Sequence, residues 1–463
     1  DREDLAARPA GVLRGCVQQD ADLEAGVDEV AVVAAGDGDG GDVEPGGAGG
    51  DVPGRALARD ERVIVAALHE TGERVVERYH SVLPPALNHQ GQLRRLALGN
   101  HAGDGGAVAT PSGTLVPQKL IDGTDIEVRC FGARTLHIVA GNAPGLSLLT
   151  IIRNMVLRSD AIIKSPSNDP FTALAIARTM IDMAPGHPLT RHLSVAYWRG
   201  GDTAFEERLY QPSNLEKIVA WGGFASMKHV TRYIQPGLEL ISLDPKRSAS
   251  IIGADTFASE ESMREAAVRL ASDIGALNQK GCVCARVVYV QSGTDDDGLE
   301  RINRFGGYVY EALQGLPNSL STPAKAYDRN LKSHVDALRL DDEWYKVIGG
   351  KDGEGAIIVS QLPEPVSFAT ILDDRTANLV PVDTLDEVMD AVDAYTQTVG
   401  IYPEALKDEL KDRLPLFGAQ RIVSLGYAAA MKWAAPQDAI EPLRRMGKWI
   451  SNQIASPDRK SVV

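Results

Sequence analysis

The chain has 463 residues, of which 44% are hydrophobic and 24% charged, and its formal net charge is -15. That length exceeds the roughly 250–300 residues at which one core stops growing, so two or more domains are expected. A net negative field repels phosphate backbones, which argues against nucleic-acid binding, and no apolar run reaches the roughly 18–20 residues of a membrane span.

Four cysteines, Cys16, Cys130, Cys282 and Cys284, are too few for a disulfide framework in a chain this long. The opening Asp1-Arg2-Glu3-Asp4 is not followed by a charged-then-apolar signal segment. A reducing, cytoplasmic location is the expectation. Residues 34–50, AAGDGDGGDVEPGGAGG, have no apolar periodicity and a glycine content that makes ordering costly, so a flexible linker is expected there. Residues 58–98 carry helical patches that Pro84-Pro85 would interrupt. Residues 1–105 as a whole read as a Gly/Asp/Ala-rich, partly disordered extension.

From about residue 106 the pattern changes. LHIVAGNAPG (136–145) reads as a buried strand ending in a Gly/Pro turn, and SLLTIIRNMVLRS (147–159) as a helix. AIIKSPSNDP (161–170) reads as strand then loop, and FTALAIARTMIDMAP (171–185) as a helix starting near Asp169 or Pro170. LSVAYWRG (193–200) is a strand, and KIVAWGGFASMKHVTRYI (217–234) is strand, Gly turn and helix. LELISLDP (238–245) and SASIIGAD (248–255) close a series whose alternation predicts a doubly wound parallel sheet. ESMREAAVRLASDIGALNQ (261–279) is an amphipathic helix, and GCVCARVVYVQ (281–291) runs from a tight turn into a strand. LDEVMDAVDAYTQTVG (385–400) is helix-like, and QRIVSLG (420–426) is a strand.

Three places carry candidate chemistry. The segment Leu277-Asn278-Gln279-Lys280-Gly281-Cys282-Val283-Cys284-Ala285 lies between the amphipathic helix and the strand. A nucleophile is best held on a short turn whose N–H groups can also bind an oxyanion, and Gly281 permits a sharp turn before Cys282. The alternatives are two small buried cysteines or a Cys-x-Cys metal site, for which no histidine lies near in sequence. Trp221-Gly222-Gly223-Phe224-Ala225-Ser226 follows a strand and opens a helix, where glycines allow a pyrophosphate to approach, although a plain turn reads the same and no GxGxxG accompanies it. Lys164 ends a strand before Ser165-Pro166-Ser167 and can reach a ribose or phosphate, or can be a solvated edge lysine. Asn142, in Gly141-Asn142-Ala143-Pro144-Gly145, offers an amide to an oxyanion or simply shapes the turn.

Taken together and in this order, these segments resemble the aldehyde dehydrogenase superfamily. The Gly141-Asn142-Ala143-Pro144, Lys164-Ser165-Pro166, Trp221-Gly222-Gly223 and Gln279-Lys280-Gly281-Cys282 segments are similar to its Asn turn, Lys-Pro strand end, nucleotide turn and nucleophile turn. Within it the chain looks like the LuxC-type acyl-CoA reductase branch, on HIVAGNAPG (137–145), AWGGFAS (220–226), LDPKRS (243–248), NQKGC (278–282), QTVGIYPE (397–404), RIVSLG (421–426) and PQDAIEPLRRMGKW (436–449). Departures are the first 105 residues, unlike that family's N-terminal part, and Gln437 and Ala439 where similar proteins carry His and Gly.

The resemblance implies an α/β fold with a doubly wound cofactor lobe over 106–255 and an α/β catalytic lobe over 256–425. It also implies a C-terminal segment, 426–463, that packs back on the cofactor lobe. It implies that Cys282 attacks an acyl thioester, that Asn142 and the Cys282 N–H form the oxyanion hole, and that the coenzyme meets Lys164, Ser167, Trp221, Gly222, Gly223 and Ser226. The expected reaction is reduction of an acyl-CoA, with a fatty acyl chain, to the aldehyde. The hydrolytic branch needs a carboxylate base. Alignment on Pro245-Lys246 puts Ser242 at that position, and this is the favoured alignment; alignment on Leu238-Glu239-Leu240 keeps Glu239. Ser167 stands where a Glu would repel a 2′-phosphate, so NADPH is expected over NADH. No metal is expected. A homo-oligomer and a partner protein that delivers the acyl group are further implications. The competing readings are a hydrolytic NAD(P)-dependent aldehyde dehydrogenase using Glu239 and an inactive dinucleotide-binding subunit.

Overall fold

The computed structural model describes residues 31–34, 116–119, 125–143, 145–430, 432 and 434–454. The linker expected over 34–50 (Ala34 apart), the helical patches over 58–98, Cys16 and Pro144 lie outside them. In chain order the strands begin with β1 (Ala31–Ala34), β2 (Val116–Lys119), β3 (Asp125–Phe131), β4 (Arg134–Ile138), β5 (Asp160–Lys164), β6 (Leu193–Tyr197), β7 (Lys217–Trp221) and β8 (Glu239–Leu243). They continue with β9 (Arg247–Ile252), β10 (Ala285–Val290), β11 (Tyr345–Gly349), β12 (Ala356–Ser360), β13 (Thr376–Pro381), β14 (Thr396–Tyr402), β15 (Arg421–Ser424) and β16 (Lys448–Ile454).

The described residues group into two compact units. The first is built on Arg134–Val139 and Asp160–Ser242. Its sheet has the order β1-β6-β5-β4-β7-β8, with β6, β5, β4 and β7 parallel and β1 antiparallel to β6. Strands buried on both faces need near-continuous apolar runs, which is why KIVAW and DAIIK do not alternate strictly with polar residues. Leu136, Trp198, Tyr210, Ile218, Ala220 and Leu238 form its core. The chain moves from β4 outward to β5 and β6, then returns to the other side of β4 for β7. Ligands bind beyond the carboxyl ends of strands at such a reversal. Ile138 is in register with both Lys164 and Ala220, so Lys164 and Trp221 emerge on either side of the end of β4.

The second unit contains Ala140–Ser159 and the chain from Leu243 onward. Its seven-stranded sheet has the order β11-β12-β13-β10-β9-β14-β15, parallel except for the edge strand β11. The helix Glu260–Gly275 starts at Ser259, whose side chain accepts from the Ser262 N–H, with Glu260 and Glu261 in its first turn. It buries Met263, Ala266, Ala267, Leu270, Ala271 and Ile274 at helical spacing in one core with residues of β10, β12 and β13. It stops at Gly275, where a Cβ would come within 2.4 Å of Leu316 Cδ1. The expected helix over 261–279 is therefore shortened, and 276–279 forms a separate tight turn.

The helix-like reading of 385–400 is corrected. Only Asp386–Met389 is helical, and Thr396–Tyr402 is the strand β14. Leu385, Val388, Met389 and Val392 do have helical spacing, and all four join one apolar cluster. The residues that follow, Thr396, Thr398 and Val399, are β-branched and enclosed in the sheet, an environment that selects strand over helix. A third sheet, in the order β16-β3-β2, is antiparallel and pairs Trp449 with Cys130.

Candidate active site

Cys282 lies at the carboxyl end of the turn that joins Glu260–Gly275 to β10. Leu277, Asn278 and Gln279 all take left-handed backbone angles, with φ of 56°, 55° and 63°. Three consecutive non-glycine residues in that region store strain, which persists only when surrounding contacts fix it. Gln279 supplies most of them. It is fully buried, and its Nε2 donates to the carbonyls of Ala285 (2.8 Å) and Thr376 (2.9 Å) while its Oε1 accepts from the Thr376 N–H (2.8 Å). Asn278 exchanges hydrogen bonds with Thr322 at 3.0 and 2.7 Å. Lys280 bridges to Asp373 (2.6 Å) and Asp374 (2.7 Å). Arg286, at the start of β10, donates to the carbonyls of Leu372 (2.9 Å), Cys284 (3.2 Å), Gln279 (3.3 Å) and Gly281 (3.4 Å). The turn is thereby tied to its surroundings by side chains rather than by regular ladder bonds.

On this frame Cys282 is half-buried and Cys284 fully buried. The Cys284 thiol donates to the Ala276 carbonyl at 3.1 Å, and burial pushes it up to about 12. Cys284 therefore stays a thiol and serves packing. Burial also pushes the Cys282 thiol up, and the Asp438 carboxylate adds to that; a hydrogen bond from Gln397 and the Arg286 guanidinium pull the other way. Ser248 donates to the Cys282 carbonyl at 2.6 Å. The Asn142 Nδ2 donates to the Lys280 carbonyl at 2.9 Å, across 138 residues of sequence. The structure thus brings Asn142 to the same turn as Cys282, and the second Nδ2 proton is available to a ligand oxygen.

The other six predicted site residues belong to the first unit. The Lys164 ammonium stands 5.2 Å from the Trp198 ring centroid and 5.9 Å from that of Tyr197. Burial lowers its affinity for a proton, and Glu206 opposes that. Ser167 is exposed in the loop that leaves β5. Trp221 ends β7 with a buried indole N–H that has no partner among the described residues. At Gly222 a Cβ would come within 3.0 Å of the Ser226 side chain, and Gly223 starts the helix Phe224–Thr231. Of the two base candidates, Glu239 pairs with Lys217 at 2.6 Å and Ser242 donates to Met227 Sδ at 3.3 Å.

Sequence reasoning missed Ser248, Arg286, Gln397 and Asp438 around the cysteine turn. It also missed Glu206, a buried carboxylate that accepts from Trp198 and Tyr233 (both 3.2 Å) and meets His229 at 2.5 Å. Asp438, Gln397 and Ser248 lie inside the PQDAIEPLRRMGKW, QTVGIYPE and LDPKRS segments, so the resemblance pointed to their neighbourhoods; no local pattern marks Arg286 or Glu206.

Residues 128–449 match the acyl-CoA reductase (LuxC) family. The chain is 27% identical over 330 residues to the long-chain acyl-protein thioester reductase of Vibrio harveyi, covering 70% of this chain and 65% of that protein. It is 28% identical over 329 residues to that of Photorhabdus laumondii, covering 69% and 64%. It thus spans just under two thirds of the length of these relatives. Among solved structures it resembles P. syringae indole-3-acetaldehyde dehydrogenase AldA in complex with NAD+ (TM-score 0.59, 16% identity, 74% of this chain and 72% of that one). It also resembles NADP-dependent glyceraldehyde-3-phosphate dehydrogenase from Bacillus halodurans complexed with NADP (TM-score 0.57, 11% identity, 74% and 75%). The fold is that of the aldehyde dehydrogenases, and the chain belongs to the acyl-CoA reductase (LuxC) family.

Proposed function

We propose that this chain reduces an acyl thioester, an acyl-CoA with a fatty chain, to the aldehyde with NADPH through an acyl group carried on Cys282. The observation that carries the reading is the delivery of the Asn142 amide to the turn holding Cys282. The Cys282 sulfur forms a bond to the acyl carbon and the thioester C–S bond breaks. The CoA thiolate leaves and takes up the proton that Cys282 gives up. Asn142 and the Cys282 N–H face the oxygen that becomes negative, and each such donor contributes roughly 2.7–4 kcal/mol to the rate. When the reduced acyl group leaves as aldehyde, Cys282 is left as the thiolate and takes a proton from solvent to return to the thiol.

A dinucleotide fits the first unit on two observations. A Cβ on Gly222 would crowd the Ser226 side chain at 3.0 Å, and the indole N–H of Trp221 is a buried donor with no partner among the described residues. Lys164, Ser167, Trp221, Gly222, Gly223 and Ser226 would hold it, and NADPH supplies the reducing equivalents when bound. Ser167 is neutral and tolerates a 2′-phosphate. The pairing of Glu239 with Lys217 supports reduction over hydrolysis, because a carboxylate held by a cation is a poor general base. The relatives are named for acyl-protein thioesters, which makes a protein-bound acyl group the second donor to try.

The test is NADPH consumption by the purified chain with acyl-CoAs of graded length and with an acyl-protein thioester, identifying the product, for wild type and Cys282→Ala. Aldehyde from wild type alone supports the reading and fixes the donor. Free acid as product would favour the hydrolytic alternative. NADPH binding with no aldehyde from any donor would leave a dinucleotide-binding subunit.

A further inference from the structure

Arg286, the second residue of β10, uses all three nitrogens of its guanidinium on backbone carbonyls. Nε donates to Leu372 at 2.9 Å, Nη1 to Cys284 at 3.2 Å and Gly281 at 3.4 Å, and Nη2 to Gln279 at 3.3 Å. Three of these acceptors belong to the cysteine turn. The fourth immediately precedes Asp373 and Asp374, the pair that holds Lys280. Arg286 is half-buried, and among the described residues it makes no ion pair. Placing a cation against carbonyls alone is a costly way to fill space. A planar fork with five donors can serve several carbonyls at once, which a lysine ammonium on a flexible stem cannot reproduce.

A peptide unit is planar and trans, so its C=O and its N–H point in opposite directions. The Gly281 carbonyl accepts from Arg286 and from the Cys284 N–H at 3.2 Å. The N–H of that same peptide unit is the Cys282 N–H. It therefore points away from Arg286, and it donates to no other residue among the described ones. The peptide unit on the far side of Cys282 is fixed as well, because its carbonyl accepts from Ser248 at 2.6 Å. Arg286 also holds the carbonyl of Gln279, whose left-handed φ of 63° needs surrounding contacts to persist.

We propose that Arg286 is a positioning residue for the oxyanion site: by holding the Gly281 carbonyl it turns the Cys282 N–H toward the oxygen that becomes negative when Cys282 is acylated. This rests on the reading of Cys282 as the nucleophile. The role belongs to the fork geometry and not to the charge. A cation at residue 286 also draws the Cys282 thiol toward ionisation, so the test keeps the charge and removes the fork.

Two reactions of Cys282 are compared in the full chain by mass spectrometry, with buried Cys130 and Cys284 as internal controls for folding. Acylation by acyl-CoAs of graded length and by p-nitrophenyl octanoate, without coenzyme, passes through an oxyanion. Alkylation by iodoacetamide is a displacement at a saturated carbon and forms none, so it reads only thiolate and access. Arg286→Lys is expected to slow acylation at least about tenfold, as loss of an oxyanion donor does, and to leave alkylation within about twofold of wild type. Acylation at the wild-type rate in Arg286→Lys overturns the proposal, because charge alone then suffices. Acylation and alkylation that fall together also overturn it, because the turn has then lost its shape. Should Cys130 and Cys284 become labelled in that variant, Arg286→Ala decides the matter. Acylation restored by ethylguanidine and not by ethylammonium supports the proposal, and no restoration overturns it. A wild type that takes an acyl group from no donor removes the nucleophile reading and this proposal with it, whereas an acylated wild type equalled by Arg286→Lys removes this proposal alone.

Discussion

At Ala439 the backbone adopts φ of 60°, and with Asp438 at 51° it forms a turn whose two central residues are both left-handed. Such turns favour Gly at the second central position, because a Cβ there is strained. Ala439 is exposed, so its methyl group contributes little packing in return. Glycine at this place removes the strain. Ala439→Gly is therefore expected to stabilise the folded chain by about 0.5–1 kcal/mol, unlike most substitutions. Chemical denaturation checks it, and a lower midpoint for the variant would count against a strained turn. The same reasoning explains why Asn278 and Gln279 tolerate left-handed angles. Gln279 and Asn278 each make paired hydrogen bonds that only this conformation supplies. Strain at those residues is held by specific partners, whereas at Ala439 the strained side chain itself has none to gain.

The helix Glu260–Gly275 does more than fill the core under the seven-stranded sheet. Near its end Asp273, 1% exposed, accepts from the N–H groups of Gly426 and Ala428, both at 2.8 Å. Arg421 takes the carbonyls of Ala428 (2.6 Å), Ala430 (3.1 Å) and Tyr427 (3.2 Å) from the same loop. A helix and β15 thus hold one loop by its donors and its acceptors. Burial pushes the Asp273 carboxyl from its ordinary 3.8 up to about 6, against the two N–H bonds and Arg421. Between those values the folded state binds more protons than the unfolded state. The contribution to stability is full below about pH 4 and falls as pH rises through 6. The change corresponds to about 3 kcal/mol, to order of magnitude. The stability of wild type relative to Asp273→Asn is expected to decline by that order between pH 4 and pH 7, as measured by chemical denaturation at both pH values. A difference independent of pH would show that the N–H bonds and Arg421 cancel the effect of burial. The loop at 426–430 should also exchange its amides faster in Asp273→Ala than in wild type, since it loses two anchored donors.

For the molecule as a whole, the architecture was legible because strands and helices alternate from LHIVAGNAPG (136–145) onward, and buried parallel strands carry apolar runs that stand out. The segment 385–400 misled because its helical spacing marks a packed face that the chain meets with one helical turn before entering β14. Asn142 and Cys282 were legible as motifs, and the structure brings them to one turn. The contacts of Gln397, Asp438 and Ser248 were not, because they form only through the tertiary fold: 41 residues separate Gln397 from Asp438 and 34 separate Ser248 from Cys282. Arg286 reaches turn carbonyls only two to seven residues away, but no motif marks it. Coenzyme choice stands between these cases. The net charge of -15 disfavours any anionic ligand at long range, so binding a dinucleotide depends on local groups. Lys164 is the cation at the end of β5, and Ser167 follows it in an exposed loop. A carboxylate at residue 167 can accept from a ribose 2′-OH but repels a 2′-phosphate. Ser167→Glu is therefore expected to lower kcat/KM for NADPH relative to NADH at least tenfold, about 1.4 kcal/mol in the difference between the two coenzymes. The substitution lies on the surface of a loop, so the unfolding midpoint should move little. Steady-state kinetics with both coenzymes and one acyl donor measure the ratio. An unchanged ratio in a folded variant would mean that residue 167 does not face the 2′ position, and the proposed use of NADPH would then need another cation to support it.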